Sequence, residues 1–246
     1  MKVNYDTYAD LYEYTRDTEP IVYSMLIHLL KPTRDDKLLD FGCGTGNYLY
    51  RLKLDYGIEA YGIEPAIKMR KIAEAKLPNS CILDGNHKII PFPQGYFNKI
   101  YVTDVIHHVH ELEVLFYNLA EAAATNAKLC ICTESAAQLC EKYWIKYFPE
   151  IATADLQRFH RIEDIVKSGR ENGWIHKKTV TTEEETISEI SHNFMERVRQ
   201  KTLSVFHLIS NEAYAHGLSL MEADYHKRVP IHQCEGYTFI LFERQM

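Results

Sequence analysis

The sequence predicts an α/β fold of the doubly wound type: a mostly parallel, seven-stranded sheet with helices on both faces and a helical cap insertion. Three observations predict it. Residues 38 to 49, from Leu38 to Leu49, run from an apolar stretch through an acid and three alternate glycines into a helical pattern. Two further strands ending in acids follow, at 58 to 64 and 80 to 84, with a helix between them. Successive strand-helix units imply right-handed crossovers and a parallel sheet, with ligands at the carboxyl ends of its strands. Beyond residue 135, more helices and two more strands complete the count.

Taken in order, Tyr5, Tyr8 and Tyr12 recur at helical spacing over residues 4 to 17, on an amphipathic face that packs its rings on the domain or borders a ligand. Val22, Met25, Leu26, Leu29 and Leu30 mark a core-facing helix over 19 to 30 that Pro32 ends, and His28 on it faces solvent. After the glycines, Tyr48, Leu49 and Leu52 carry a helix that Gly57 closes as a C-cap. Pro65 takes a first-turn position in a helix over 66 to 76. Gly85, Pro91, Pro93 and Gly95 make 85 to 97 a loop. Strand four covers 98 to 103, an alanine- and leucine-rich helix about 111 to 124, and strand five 129 to 133, with Asn126 suited to a left-handed turn between them. An aromatic helical stretch over 136 to 158, a helix over 161 to 172 ended by Gly173, a β-branched strand over 174 to 187 and a last strand over 237 to 242 complete the chain.

Gly42, Gly44 and Gly46 carry the chemistry. Glycine lacks a Cβ and reaches positive φ, so a ligand can touch the backbone, and the following helix N-terminus offers unpaired N–H groups. The dinucleotide fingerprint wants glycine or alanine where Asn47 stands, which argues against a nicotinamide-dependent reductase. Glu64, about twenty residues beyond the glycines, is placed to hold ribose hydroxyls.

Four ordered motifs, LLDFGCGTGNYL at 38 to 49, YGIEP at 61 to 65, ILDG at 82 to 85 and FPQGYFNKIYVTDVIHHV from 92 to 109, make residues 5 to 135 similar to the class I S-adenosylmethionine-dependent methyltransferases of the small-molecule, type 11-like group. The resemblance implies a Rossmann-like sheet and S-adenosylmethionine as cofactor. It implies that Gly42, Cys43, Gly44 and Gly46 pass beneath the methionine and ribose, that Asp40 helps hold the amino end, and that Glu64 accepts from both ribose hydroxyls. Asp84 and Gly85 would meet the adenine edge, Ile63, Pro65 and Met69 its faces, and Thr103 the methionine. Tyr8, Tyr12 and Arg16 would border the acceptor, since the N-terminal segment of that family folds over the cofactor.

His107 and His108 lie in the densest group of titratable side chains, residues 103 to 110. Neighbouring histidines converge poorly on a metal, so no metal is expected. One of them, by preference His108, is the candidate general base, the alternative being that a histidine packs beneath the loop. The family joins strands six and seven by a short hairpin, whereas here a long, partly helical segment intervenes. The expected organisation is therefore a single domain over 1 to 246, with its core about 19–135 plus 160–187 and 236–246, and a helical cap from 1–18, 136–159 and 188–235 over the acceptor.

A net charge of −6 leaves no general basic surface, which disfavours nucleic acid as partner. Acids throughout Met1 to Leu30 argue against a signal peptide, and no apolar run spans a membrane. The six cysteines, 43, 81, 130, 132, 140 and 234, form no C-x-x-C pair and are expected to be reduced, in a cytoplasmic setting. The function these features imply is methyl transfer to an oxygen or nitrogen of a small-molecule acceptor. The alternatives are a non-catalytic S-adenosylmethionine- or nucleotide-binding protein and an RNA-modifying methyltransferase.

Overall fold

The computed structural model of the protein describes residues 5–7 and 9–245. A short 3-10 turn, Tyr5–Thr7, and helix α1, Ala9–Thr15, open the chain where one helix was expected; Tyr8 lies outside the described residues. Helix α2, Pro20–Leu30, has proline at its first position and ends with Lys31 in the left-handed region, its N–H on the Ile27 carbonyl. There follow β1, Lys37–Phe41; α3, Asn47–Tyr56; β2, Glu59–Ile63; α4, Ile67–Lys76; β3, Cys81–Leu83; β4, Phe97–Thr103; α5, Leu112–Ala122; and β5, Ala123–Thr133. Then come α6, Ala136–Glu141; α7, Glu150–Arg158; α8, Ile162–Glu171; β6, Trp174–Ser188; α9, His192–Arg199; α10, Asn211–His226; and β7, Ile231–Arg244.

The seven strands form one sheet in the order β3-β2-β1-β4-β5-β7-β6. All pairs from β3 to β5 are parallel, while β7 runs antiparallel to both neighbours. Alternation along the strands separates two apolar layers. Leu39, Ile100, Val102, Leu129, Ile131 and Phe242 meet Phe116 and Leu119 of α5 and Ile165 of α8 on one face. Leu38, Tyr101, Cys130, Cys132 and Phe239 meet Leu26 and Leu30 of α2 and Leu49 and Leu52 of α3 on the other.

Several boundaries differ from the sequence reading. Helix α5 stops at Ala122 and runs straight into strand, because Gly95 and Tyr96 donate to the Glu121 and Ala122 carbonyls and Ala123 pairs with Phe97. Asn126 does take positive φ, at 62°. Pro65 stands before the N-cap Ala66 of α4 rather than in its first turn. The aromatic stretch 136 to 158 breaks into α6, a 3-10 turn at Tyr143–Lys146 and α7, with Lys142 extended and Pro149 barring a continuous helix.

The largest difference concerns β7, which begins at Ile231, six residues earlier than expected. The pairing of β5 with β7 stops at Thr133 and Thr238, yet β6 and β7 remain paired out to Ser188 and Ile231. These two arms overshoot the carboxyl ends of the parallel strands by about 20 Å, at roughly 3.3 Å per residue. Residues 189–230 therefore leave the sheet on that side. They form a third apolar cluster, in which Met195, Val198, Phe206 and Met221 pack on Phe148 and Ile151. Among the described residues no helix is long and apolar enough to cross a membrane.

Candidate active site

The site is built where each parallel strand ends. Asp40 lies in β1, and Glu64, Asp84, Asp104 and Glu134 stand at the residue directly after β2, β3, β4 and β5. Between β1 and α3 the chain turns through Gly42, Gly44 and Gly46, with φ of 79°, 54° and 80°. A Cβ on Gly42 would strike Val105 at 2.5 Å and one on Gly46 would press Leu77 at 3.0 Å, so both glycines serve packing. Gly44 differs: a Cβ there would meet only Tyr12 Cε1, at 3.9 Å. Bare backbone at an open position is what close approach of a ligand requires.

Glu64 ties this turn to the next strand. Its Oε2 accepts from Gly44 N at 2.9 Å and its Oε1 from Ala66 N at 2.8 Å. Burial raises its pKa, and the two backbone donors pull it back. A carboxylate has lone pairs for further donors, such as vicinal hydroxyls. Asp40, 4% exposed, lies beneath the loop and accepts from Tyr101 Oη at 2.7 Å. Burial pushes its pKa up to about 7 against the pull of that bond. Cys43 is buried under the same turn, its thiol pushed well up by burial.

The remaining sequence-predicted residues divide between this cleft and its surroundings. Gly85 is buried against Ile63 and the Ile89 carbonyl, and Asp84 beside it is exposed and 3.2 Å from Arg70 Nη1. Met69 is buried in α4, while Pro65 is exposed. Thr103 is buried with no partner for its Oγ1, as is Thr45 in the glycine turn. Two orphaned hydroxyls beside an open glycine and a rim of carboxyl groups fit a polar ligand carrying positive charge. Tyr12 covers Gly44, and the Arg16 guanidinium sits 5.2 Å from the centre of its ring.

The two histidines have different surroundings. His107 is buried and stacked on Phe159, with ring centroids 4.3 Å apart, and its Nδ1 has no partner. Burial, then His108 and Arg158, hold its pKa well below the ordinary value. The ring of His108 reaches solvent, and its pKa is also lowered, by partial burial first and then by Arg158 and His110. Both rings are therefore neutral at pH 7. Among the described residues no cluster of histidine, cysteine and carboxylate is arranged for a metal.

Sequence reading missed four contributors. Asp104, at positive φ of 56°, places its charge beside Tyr12, Tyr48 and Tyr237. Glu134 is held by Lys142 at 2.7 Å. Tyr237 comes from the overshooting arm of β7, and Arg197 from α9 in the insertion. The acid after each strand was a readable signal for Asp104 and Glu134. Nothing local marks Tyr237 or Arg197, because long-range folding brings them in.

A family model described as a methyltransferase domain matches residues 15–179. An uncharacterized methyltransferase of Oceanobacillus iheyensis is 37% identical over 91 residues, covering 37% of this chain and 42% of the relative. The matched region thus spans about two-fifths of that curated relative. Among solved structures, a protein described as a methyltransferase from an antibiotic biosynthesis pathway of Anabaena variabilis superposes with a TM-score of 0.71 at 21% identity, covering 92% of this chain and 98% of that one. A phosphoethanolamine N-methyltransferase of Haemonchus contortus, solved with S-adenosylmethionine, gives 0.61 at 16% identity, covering 98% and 57%. At those identities the likeness speaks for the fold. The family match, the strand order and the glycine turn with its acid-rimmed edge together place the chain in the class I S-adenosylmethionine-dependent methyltransferase family.

Proposed function

We propose that this chain transfers a methyl group from S-adenosylmethionine to an oxygen or nitrogen of a small molecule bound between the glycine turn and the helical insertion. The observation that carries the reading is the open backbone at Gly44, bridged by Glu64 and roofed by Tyr12. When bound, the cofactor supplies a methyl group already activated by its sulfonium. The chain's own task is to bind, align and exclude water, and such positioning supplies about 7 to 11 kcal/mol. Glu64 and Asp84 hold the adenosine end, Asp40 and Thr103 the amino acid end, and the acids after the strands favour a cation at this edge.

The insertion gives the acceptor its enclosure. Helix α9 approaches α1 closely enough for Asn193 Nδ2 to reach the Thr15 carbonyl at 3.5 Å, and its Arg197 lies within the electrostatic reach of Tyr12 and Tyr237. His108 is the proposed base: neutral at pH 7, it would take the proton that an acceptor hydroxyl, or a neutral amine once alkylated, gives up. His107 packs behind it and fixes its loop.

Calorimetry with S-adenosylmethionine, its demethylated product and NAD tests the cofactor assignment. Transfer of labelled methyl into fractions of a cell extract tests the acceptor class. Binding without transfer would make this a cofactor-binding protein, and label in RNA would overturn the small-molecule reading.

A further inference from the structure

The helical insertion carries a charge toward the site that methyl transfer itself does not call for. The Arg197 guanidinium, on α9, lies over the Phe194 ring at 5.7 Å and within the electrostatic reach of Arg16, Glu19, Tyr12 and Tyr237. Its Nε is buried with no hydrogen-bond partner, and among the described residues no carboxylate lies within ion-pair distance of its guanidinium. Arg16 approaches from α1, its guanidinium beside the same Tyr12 ring that roofs Gly44. Both helices meet at the contact between Asn193 and Thr15.

The positive field of Arg16 adds to that of Arg197, and burying the Arg197 guanidinium with its Nε unpartnered is costly. Although the chain carries a net charge of −6, Glu19 is the one carboxylate whose field is prominent at Arg197. Arginine presents a planar fork of donors suited to two oxygens of one carboxylate or phosphate. Nearby Glu13 supplies no counter-charge to Arg197, because it is taken up by Lys76 at 2.6 Å.

We infer that Arg197 is the receptor for an oxyanion group on the methyl acceptor, so that the acceptor is an anionic small molecule whose carboxylate or phosphate docks between α9 and α1. The inference rests on the reading of this cleft as a methyl-transfer site. It assigns the insertion a second task besides enclosure, that of selecting acceptors by charge. Arg16 sets the local field, and Tyr12 separates the anion from the cofactor-binding turn.

Titration of inorganic phosphate, and separately of acetate, into the full chain saturated with S-adenosylhomocysteine tests this by calorimetry. The expected result is saturable binding of at least one of the two that Arg197→Gln weakens about tenfold or more, while Arg197→Lys retains part of it. Affinity for S-adenosylhomocysteine should stay within about twofold in both variants, since a group that does not touch the cofactor leaves its free energy unchanged. Phosphate preference over acetate, or the reverse, names the anion. If the glutamine variant loses cofactor affinity and anion binding is unaltered, Arg197 serves the cofactor and the inference fails. If neither anion binds the wild-type chain, or binding survives in a glutamine variant with an unchanged melting temperature, it fails as well. Absence of S-adenosylhomocysteine binding would instead refute the methyl-transfer reading.

Discussion

The backbone N–H of Gly44 donates to Glu64 Oε2 at 2.9 Å, so a carboxylate at the end of β2 holds the turn that closes β1. The same carboxylate takes Ala66 N at 2.8 Å and thereby sets the entry to α4. Two walls of the cleft are fixed by one side chain. Glu64→Ala should weaken binding of S-adenosylhomocysteine by about 1.5 to 3 kcal/mol, as expected when buried donors lose a charged acceptor. Calorimetry checks this, and Glu64→Gln should fall between the two, since it keeps one acceptor oxygen. Unchanged affinity in the alanine variant would remove Glu64 from the site.

A side chain at Gly44 should separate binding from folding. A Cβ there meets only Tyr12 at 3.9 Å, so the cost to the free protein is that of φ 54° in a non-glycine residue, about 1 kcal/mol. Gly44→Ala adds a methyl group where the ligand would lie against the backbone. The expected outcome is a small drop in melting temperature and loss of cofactor binding by at least tenfold, about 1.4 kcal/mol or more.

Asp40 gives the site a pH dependence with a definite sign. Its folded pKa of about 7 lies above the value of 3.8 for an unburied aspartate. The folded chain thus keeps a proton that the unfolded chain has released, and this contribution to stability is present below about pH 4 and lost as pH rises through about 7. A cationic ligand favours the ionised form. Binding of S-adenosylmethionine should therefore tighten as pH rises through about 7 and should release protons, measured as a dependence of the calorimetric heat on buffer ionisation. Asp40→Asn should abolish both effects, and a flat profile in the wild type would show that the ligand does not sense this group.

His107 and His108 should separate by readout. His108→Ala is expected to lower turnover about 10²-fold or more with cofactor affinity intact, the range of a lost general base. His107→Ala should act through stability, because it removes the stack on Phe159, with a cost of about 1 to 3 kcal/mol seen in urea denaturation. Full turnover in the His108 variant would leave transfer to positioning alone.

The insertion has its own apolar centre, so it can be loosened selectively. Phe148, fully buried against Phe206 with centroids 5.0 Å apart, anchors it. Phe148→Ala should cost about 3 to 5 kcal/mol locally. Hydrogen exchange over α9 and α10 should speed up while that of β1, β4 and β5 stays slow.

Much of this was legible in the sequence where local physics decides. Alternating apolar residues in the parallel strands, Gly57 and Gly173 at helix ends, and the three glycines after Asp40 each act through their immediate neighbours. The start of β7 was not legible, because Ile231 to Gly236 pairs with β6 outside the main sheet and has no layer on both faces to impose an apolar pattern. The break at Lys142 was hidden in an aromatic stretch whose periodicity suits a helix. Asp104 was within reach of the pattern that singled out Glu64 and Asp84, one acid past each strand. Arg197 was not, since its approach to the Tyr12 side of the site depends on a chain separation of 185 residues.

The overshooting arms of β6 and β7 make the joint between sheet and insertion a rigid bracket. Everything from 189 to 230 hangs from two hydrogen-bonded rails rather than from loose linkers, so its distance from the glycine turn is set by how many rungs the ladder has. Adding or removing a pair of rungs would shift the insertion by about 7 Å without disturbing a single strand of the parallel core. The distance of the helical insertion from the parallel core is thus written in the length of a hairpin.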